Sequence, residues 1–360
     1  MQPVQSDQYV ALLAEKKQLI EETFAPFKMP DLSVYASEPL HFRMRAEFRV
    51  WHEGDRCFHA MFKPGTKNDP IEITDFPIAS KSICNVMPKI MAAINESLVL
   101  SNRLFLIEYL STLSGEVLVT LIYHRQLDDE WIEVARKLKA ELGIHLIGRA
   151  RKMRLLLDQE YVIEELNVDG RLLKYKQIEA SFTQPNARVN EHMLSWAREC
   201  VKGSDWDLLE LYCGNGNFSI ALADQFKNVV ATEISKTSVH AANDNKVMND
   251  IENVEFVRVS AEEFTAHMSG ERLRRRLGHL DLENANFGTV LVDPPRAGLD
   301  VDSCKMISQY PNIVYISCNP ETLQDNLKVL SETHKVERFA MFDQFPYTHH
   351  IECGVYLVKK

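Results

Sequence analysis

Leu209-Glu210-Leu211-Tyr212-Cys213-Gly214-Asn215-Gly216-Asn217-Phe218 decides the fold of this chain. Asp207–Tyr212 has the apolar run of a buried strand, and Ser219–Phe226 resumes helical spacing. Between them Gly214 and Gly216 free the backbone for a tight turn. The next strand, Asn228–Thr232, ends at Glu233. In an open parallel sheet, glycines after the first strand let a ligand approach the backbone. An acid closing the second strand can hold ribose hydroxyls. The spacing is G-x-G, short of G-x-G-x-x-G, so a smaller adenosine-bearing ligand fits better than a dinucleotide. A glycine pair alone would equally serve a plain turn; the strand, helix and acid around it favour a nucleoside cofactor.

Downstream, strands and helices keep alternating, which implies βαβ units and a parallel sheet. Val254–Val259 is a third strand, followed by Glu262 and Glu263. Phe287–Val292 is a fourth and ends in Asp293-Pro294-Pro295-Arg296, where two prolines stiffen the loop and fix Asp293 at the carboxyl edge. Ile313–Ser317 then delivers Cys318, with Asn319 as N-cap and Pro320 as first helical residue before Glu321–Leu330. The helix N-terminus is expected to favour a thiolate at Cys318. Taken alone, a strand-end cysteine would be a packing residue. Lys335–Phe342 and Gly354–Val358 read as a closing strand pair. Their connection, 343–353, is rich in aromatic and ionisable groups.

Upstream of Phe182-Thr183-Gln184-Pro185-Asn186 the character differs. A helix over Gln8–Phe24 carries Tyr9, Leu12, Leu13, Leu19 and Ile20 on its apolar stripe. His41–His52 alternates, with Phe42, Met44, Ala46, Phe48 and Val50 on one face and Arg43, Arg45, Glu47 and Arg49 on the other. Lys81–Leu98 is an amphipathic helix, and Leu104–Leu113 and Glu116–His124 form a hairpin around Ser114-Gly115. Asp128–Leu142 is a further helix. The expected division is an N-terminal α+β domain over 1–180 and a doubly wound, Rossmann-like α/β domain over 181–360.

Composition bounds the rest. The 360 residues are 45% hydrophobic and 26% charged, with net charge −10. That balance disfavours nucleic acid globally, but a local basic patch can still bind phosphate. Seven cysteines without a C-x-x-C pair point to a reducing cytoplasm and away from disulfides, a zinc site or an iron–sulfur cluster. No apolar run approaches the ~18 residues of a membrane span, the N-terminus does not read as a signal peptide, and no obligatory protein partner is legible. Adjacent His349 and His350 rarely converge on one ion, so no metal is expected. Arg272–Arg276 reads as a solvated run in an insertion.

A thiol, two acids and a nucleoside pocket at one sheet edge suit one chemistry. Thiolate addition at C6 of a uracil makes C5 nucleophilic toward the methyl of S-adenosylmethionine, and a carboxylate then removes the C5 proton. Cys318 is the expected nucleophile and Glu352 the expected base, its pKa raised by burial.

The stretch 209–218, Asp293–Arg296, Ser317-Cys318-Asn319-Pro320 and His350-Ile351-Glu352-Cys353 together resemble the uracil-C5 RNA methyltransferases, over essentially the full length. Within them the likeness is to the bacterial branch that forms ribothymidine (5-methyluridine) in the tRNA T-loop. The resemblance implies that Cys318 and Glu352 are catalytic. It also implies that Gln184, Tyr212, Asn217, Glu233 and Asp293 line the S-adenosylmethionine and target-base pocket, and that Arg296 helps to place RNA or uracil. The first domain becomes the RNA-binding one. Ribosomal-RNA members commonly carry an oligonucleotide-binding barrel and a four-cysteine cluster; neither is legible here. A looped-in uridine must be flipped out and its stack filled by an aromatic, for which Phe105 is the candidate. Arg43, Arg45 and Arg49 are the candidate phosphate contacts. Rival readings are methylation of an exocyclic amine, a ribosomal-RNA uracil-C5 methyltransferase, and a non-catalytic RNA-folding module.

Overall fold

The structure is a computed structural model and describes residues 6–63, 65–66, 69–271, 275–280, 282 and 284–360. The chain forms two compact units. One contains Glu38–Glu165 and Gln177–Ala187; the other contains Asp7–Ser37, Leu166–Lys176 and Arg188–Lys360.

The second unit is built on an eight-stranded sheet. Its spatial order is Leu32–Tyr35, His334–Phe342, Glu352–Lys359, Asn312–Ser317, Phe287–Val292, Asp207–Leu211, Val229–Thr232 and Val254–Val257. Glu352–Lys359 runs antiparallel to both neighbours, and the other pairs are parallel. Every residue of Asp207–Leu211 and Val229–Thr232 is buried. Strands covered on both faces read as continuous apolar runs without alternation, which is why they are visible in the sequence. The order reverses between Asp207–Leu211 and Phe287–Val292, the point where doubly wound sheets hold ligands beyond their carboxyl ends. The architecture is the expected Rossmann-like α/β one.

The N-terminal segment departs from expectation. Leu32–Tyr35 pairs in parallel with Phe339–Phe342 and so extends the eight-stranded sheet. The helix Tyr9–Phe24 sends Ile20 and Phe24 into that unit's core, with the Phe24 ring edge-on to Phe339 at 5.1 Å. Its buried face is Tyr9, Lys16, Ile20 and Phe24, while Leu19 is exposed. Leu166–Lys176 also belongs here: Asn245 accepts from the Lys176 N–H at 2.7 Å and Asn249 from the Lys174 N–H at 2.9 Å. The single cut expected at residue 180 is therefore replaced by several crossings of the chain. A four-residue strand after Pro30 carries too little alternation to be read.

The first unit is α+β. Its sheet runs Pro70–Glu72, Arg56–Phe62, Arg45–Glu53, Leu104–Ser111, Val117–Tyr123, His145–Ala150 and Met153–Leu156, with helices Lys81–Glu96 and Asp129–Leu142. The strand expected from His41 begins only at Arg45, because His41 is left-handed (φ 59°) and Arg43 makes just an isolated bridge to Ala79. The alternation itself holds, with Phe42, Met44, Ala46, Phe48 and Val50 buried. The helix expected to reach Leu98 stops at Glu96; Ser97 then caps a short helix, Leu98–Ser101.

Candidate active site

The glycine turn is built from left-handed backbone: Tyr212 has φ 62°, Gly214 56° and Gly216 81°. Tyr212 is a bulky residue in that region, and such strain, about 1–3 kcal/mol, collects at functional turns. A Cβ on Gly216 would lie 2.8 Å from the Phe256 ring, whereas nothing lies within 4 Å of the corresponding point on Gly214. One glycine is needed for packing; the other leaves an open face. The half-buried Glu233 carboxylate accepts from the Gly214 N–H at 3.1 Å and the Ser235 N–H at 2.7 Å, which ties the acid to the turn. Asn217 exchanges amide hydrogen bonds with Asn190 at 2.9 Å each way, and its carbonyl accepts from the Tyr175 hydroxyl at 3.0 Å. Its side chain thus anchors the turn to the helix Ala187–Cys200. An open glycine face rimmed by a carboxylate fits the nucleoside half of S-adenosylmethionine.

Cys318 and Glu352 meet by register. Ser317 pairs with Cys353 across the antiparallel strands, so the next positions, Cys318 and Glu352, come opposite at one sheet end. Glu352 is the first residue of its strand, paired with Phe342, rather than part of the connection expected from the sequence. It is buried, and its carboxyl is held well above the usual range by that burial and by Asp293. Asp293, at the end of Phe287–Val292, is pushed up to about 7 by burial. Each carboxyl disfavours ionisation of the other. Glu210, inside the sheet, is pushed up to about 8 by burial against the hydrogen bond from Ser219, with the Asp293 and Glu233 charges adding.

The thiol is not the thiolate expected from the helix end. Burial raises Cys318 to about 11, and Glu352 and Asp293 add to the rise. Asn319 does cap Pro320–Leu330, accepting from the Glu321 N–H at 3.2 Å. Low dielectric and two acids outweigh that helix end.

The two loops that carry Asp293 and Cys318 are braced together. The Asn319 side chain donates to the Arg296 carbonyl at 3.2 Å. Asn326 donates to the Leu299 carbonyl at 2.9 Å, and its amide oxygen accepts from the Leu299 N–H at 3.0 Å and the Tyr315 hydroxyl at 2.6 Å. The Arg296 side chain is exposed beside this brace. Asn326 is a mid-helix asparagine that no sequence pattern singles out.

In the first unit Arg49 is exposed, with its guanidinium 4.5 Å from the Phe105 ring centre. Phe105 stacks on His124 at 4.1 Å and 23°. This cation–aromatic–imidazole stack includes His124, which sequence reasoning missed. Arg43 and Arg45 do not share that exposure. Arg43 donates to the Arg45 carbonyl at 2.8 Å and Arg45 to the Ser181 carbonyl at 3.0 Å, and burial lowers both guanidinium pKa values. They line a polar cavity of about 290 Å³ with Glu108, Thr120, Arg149 and Glu179. Gln184 belongs to this unit, and the neighbouring Pro185 carbonyl accepts from the Met44 N–H at 2.8 Å. Arg272 and Arg274 lie outside the described residues. Among the described residues no three His, Cys, Asp or Glu side chains group as metal ligands, and no helix is long and apolar enough to cross a membrane.

A Rossmann-like sheet with an open glycine turn, an acid on its rim, and a thiol and a buried carboxyl at one sheet end defines the class as a doubly wound α/β protein with a nucleoside-cofactor site. A family model described as tRNA (Uracil-5-)-methyltransferase matches residues 8–360. The tRNA/tmRNA (uracil-C(5))-methyltransferase of Vibrio vulnificus (strain CMCP6) is 53% identical over 364 residues, covering 99% of this chain and 98% of that protein. The protein of the same description from Psychromonas ingrahamii is 53% identical and covers 100% of both. The crystal structure of Pyrococcus abyssi tRNA (uracil-54, C5)-methyltransferase in complex with S-adenosyl-L-homocysteine superposes with a TM-score of 0.73 at 21% identity. It covers 97% of this chain and 83% of that one. The chain belongs to the tRNA (uracil-5-)-methyltransferase family. It is an enzyme that uses S-adenosylmethionine as methyl donor and methylates uracil at C5 in tRNA.

Proposed function

We propose that the target is the T-loop uridine, position 54 in the numbering used for the Pyrococcus enzyme, and that T-arm mimics such as tmRNA are also methylated. Cys318 is the nucleophile and Glu352 the base. C5 of uracil is a poor nucleophile. Attack by Cys318 forms an S–C6 bond and moves the C5=C6 π pair toward the C4 oxygen as an enolate. S-adenosylmethionine supplies the methyl group to C5 as a sulfonium electrophile. Glu352 then takes the C5 proton; the C–H pair re-forms C5=C6 and the thiolate leaves.

The observation that carries this reading is the register that sets Cys318 opposite Glu352 at one sheet end. The acid–base states are consistent with it. A thiol raised to about 11 is protonated before attack, so it must give up its proton to water as it adds, which leaves Glu352 free to take the C5 proton. A carboxyl held high by burial is also a stronger base once ionised. The Arg49–Phe105–His124 stack supports an RNA contact in which an aromatic fills the gap left by the flipped uridine.

The test is a tRNA transcript containing 5-fluorouridine, incubated with S-adenosylmethionine and run on a denaturing gel. Fluorine at C5 cannot leave as a proton, so the adduct is expected to persist, and Cys318→Ala is expected to abolish it. Methylation of ordinary tRNA without any such adduct would sink the mechanism.

A further inference from the structure

The helix Tyr9–Phe24 buries a lysine. Lys16 follows Tyr9 by two turns on the buried face, in register with Ile20 and Phe24. Its ammonium has three protons to donate, and the structure supplies three acceptors. They are Asp343 Oδ1 at 2.7 Å, the Phe345 carbonyl at 2.9 Å and the His350 carbonyl at 3.1 Å. The other oxygen of Asp343 accepts from the Tyr9 hydroxyl at 2.9 Å, and that hydroxyl accepts from the Ser37 N–H at 2.7 Å. All these residues belong to the second unit.

The acceptors are not scattered. Strand His334–Phe342 ends just before Asp343, and strand Glu352–Lys359 begins just after Ile351. The ammonium therefore grips the connecting loop at its first residue, near its start and at the carbonyl two residues before Glu352. A buried ion pair gives little net stability, because desolvation offsets attraction. Its three bonds fix a shape, and the residue at the end of that shape is the base.

We propose that Lys16 is a positioning residue for Glu352, holding the 343–351 loop in the form that brings the Glu352 carboxyl to the C5 proton. This rests on the assignment of Glu352 as the base. The thiol comes from a different strand, and the glycine turn from a third. Loss of the Lys16 grip thus leaves attack and methyl transfer in place and slows the last step, proton removal with expulsion of the thiolate.

That step has its own signature. With ordinary tRNA and methyl-labelled S-adenosylmethionine, wild-type protein completes the cycle and leaves no adduct. Lys16→Met, which keeps the apolar stem, is expected to lower kcat by about 10- to 100-fold, the scale of a small misplacement of a reacting group. KM for tRNA should stay within about twofold, as expected when only a transition-state contact is lost. A methyl-labelled protein–RNA adduct should accumulate on a denaturing gel, as it should in Glu352→Gln. If Lys16→Met fails to fold, Lys16→Met/Asp343→Leu leaves neither charge buried alone and is read in the same way. A folded variant that turns over like wild type, or that slows without accumulating methylated adduct, overturns the proposal. Failure of the underlying assignment looks different: Glu352→Gln itself would then turn over ordinary tRNA without adduct.

Discussion

At the scale of single residues, burial and the Asp293 carboxyl together raise the pKa values of Cys318 and Glu352. Cys318 and Glu352 stood out because each sits in a short motif whose chemistry needs that residue type. Their charge states depend on Asp293, which arrives from another strand, and no spacing along the chain reveals that. Lys16 was invisible for a related reason: a lysine on an apolar helical stripe looks like a break in the pattern until its three acceptors are seen. The Asp293 charge makes a testable contribution. Asp293→Asn removes a negative neighbour, so the Cys318 pKa should fall. Its thiolate fraction at pH 8 should then rise, up to about tenfold if the pKa drops by about one. Alkylation of Cys318 by iodoacetamide, followed by mass spectrometry, should be faster in the variant. An unchanged or slower rate would show that the carboxyl does not act on the thiol.

At the scale of elements, the central parallel strands were readable because burial on both faces writes an unbroken apolar run. The edge strand Leu32–Tyr35 was not, since its four residues gain their meaning from a partner far along the chain. The glycine turn is legible from its spacing together with the strand, helix and acid around it, but the structure divides its labour. Gly216 is constrained twice, by a positive φ and by the Phe256 ring. Gly216→Ala should therefore lose about 1–3 kcal/mol of stability, read by thermal denaturation. Adding Phe256→Leu should recover part of the loss attributable to the ring and leave the backbone part. Full recovery would mean that φ contributes nothing.

At the scale of the whole molecule, the second unit carries raised carboxyls that couple folding to pH. Glu210 has its pKa raised from the ordinary carboxyl range to about 8 by burial, and Asp293 rises to about 7. A carboxyl raised on folding binds a proton that the unfolded chain releases, so its stabilising effect is complete below the unfolded pKa. It is lost as pH rises through the folded pKa. Glu210 alone should lower stability by about 1.4 kcal/mol per pH unit between roughly pH 5.5 and 7, and by less as pH approaches 8. Melting temperatures across that range should decline, and Glu210→Gln should flatten the decline; an unaltered slope would remove Glu210 as its source. The edge strand has a consequence for how the protein is made. Tyr35 leaves the ribosome roughly 300 residues before its partner Phe342, a delay of about 15–60 s at typical synthesis rates of about 5–20 residues per second. Leu32–Tyr35 cannot take its place in the sheet until Phe339–Phe342 has emerged, so the catalytic sheet stays open at this edge while all the chain between them is made.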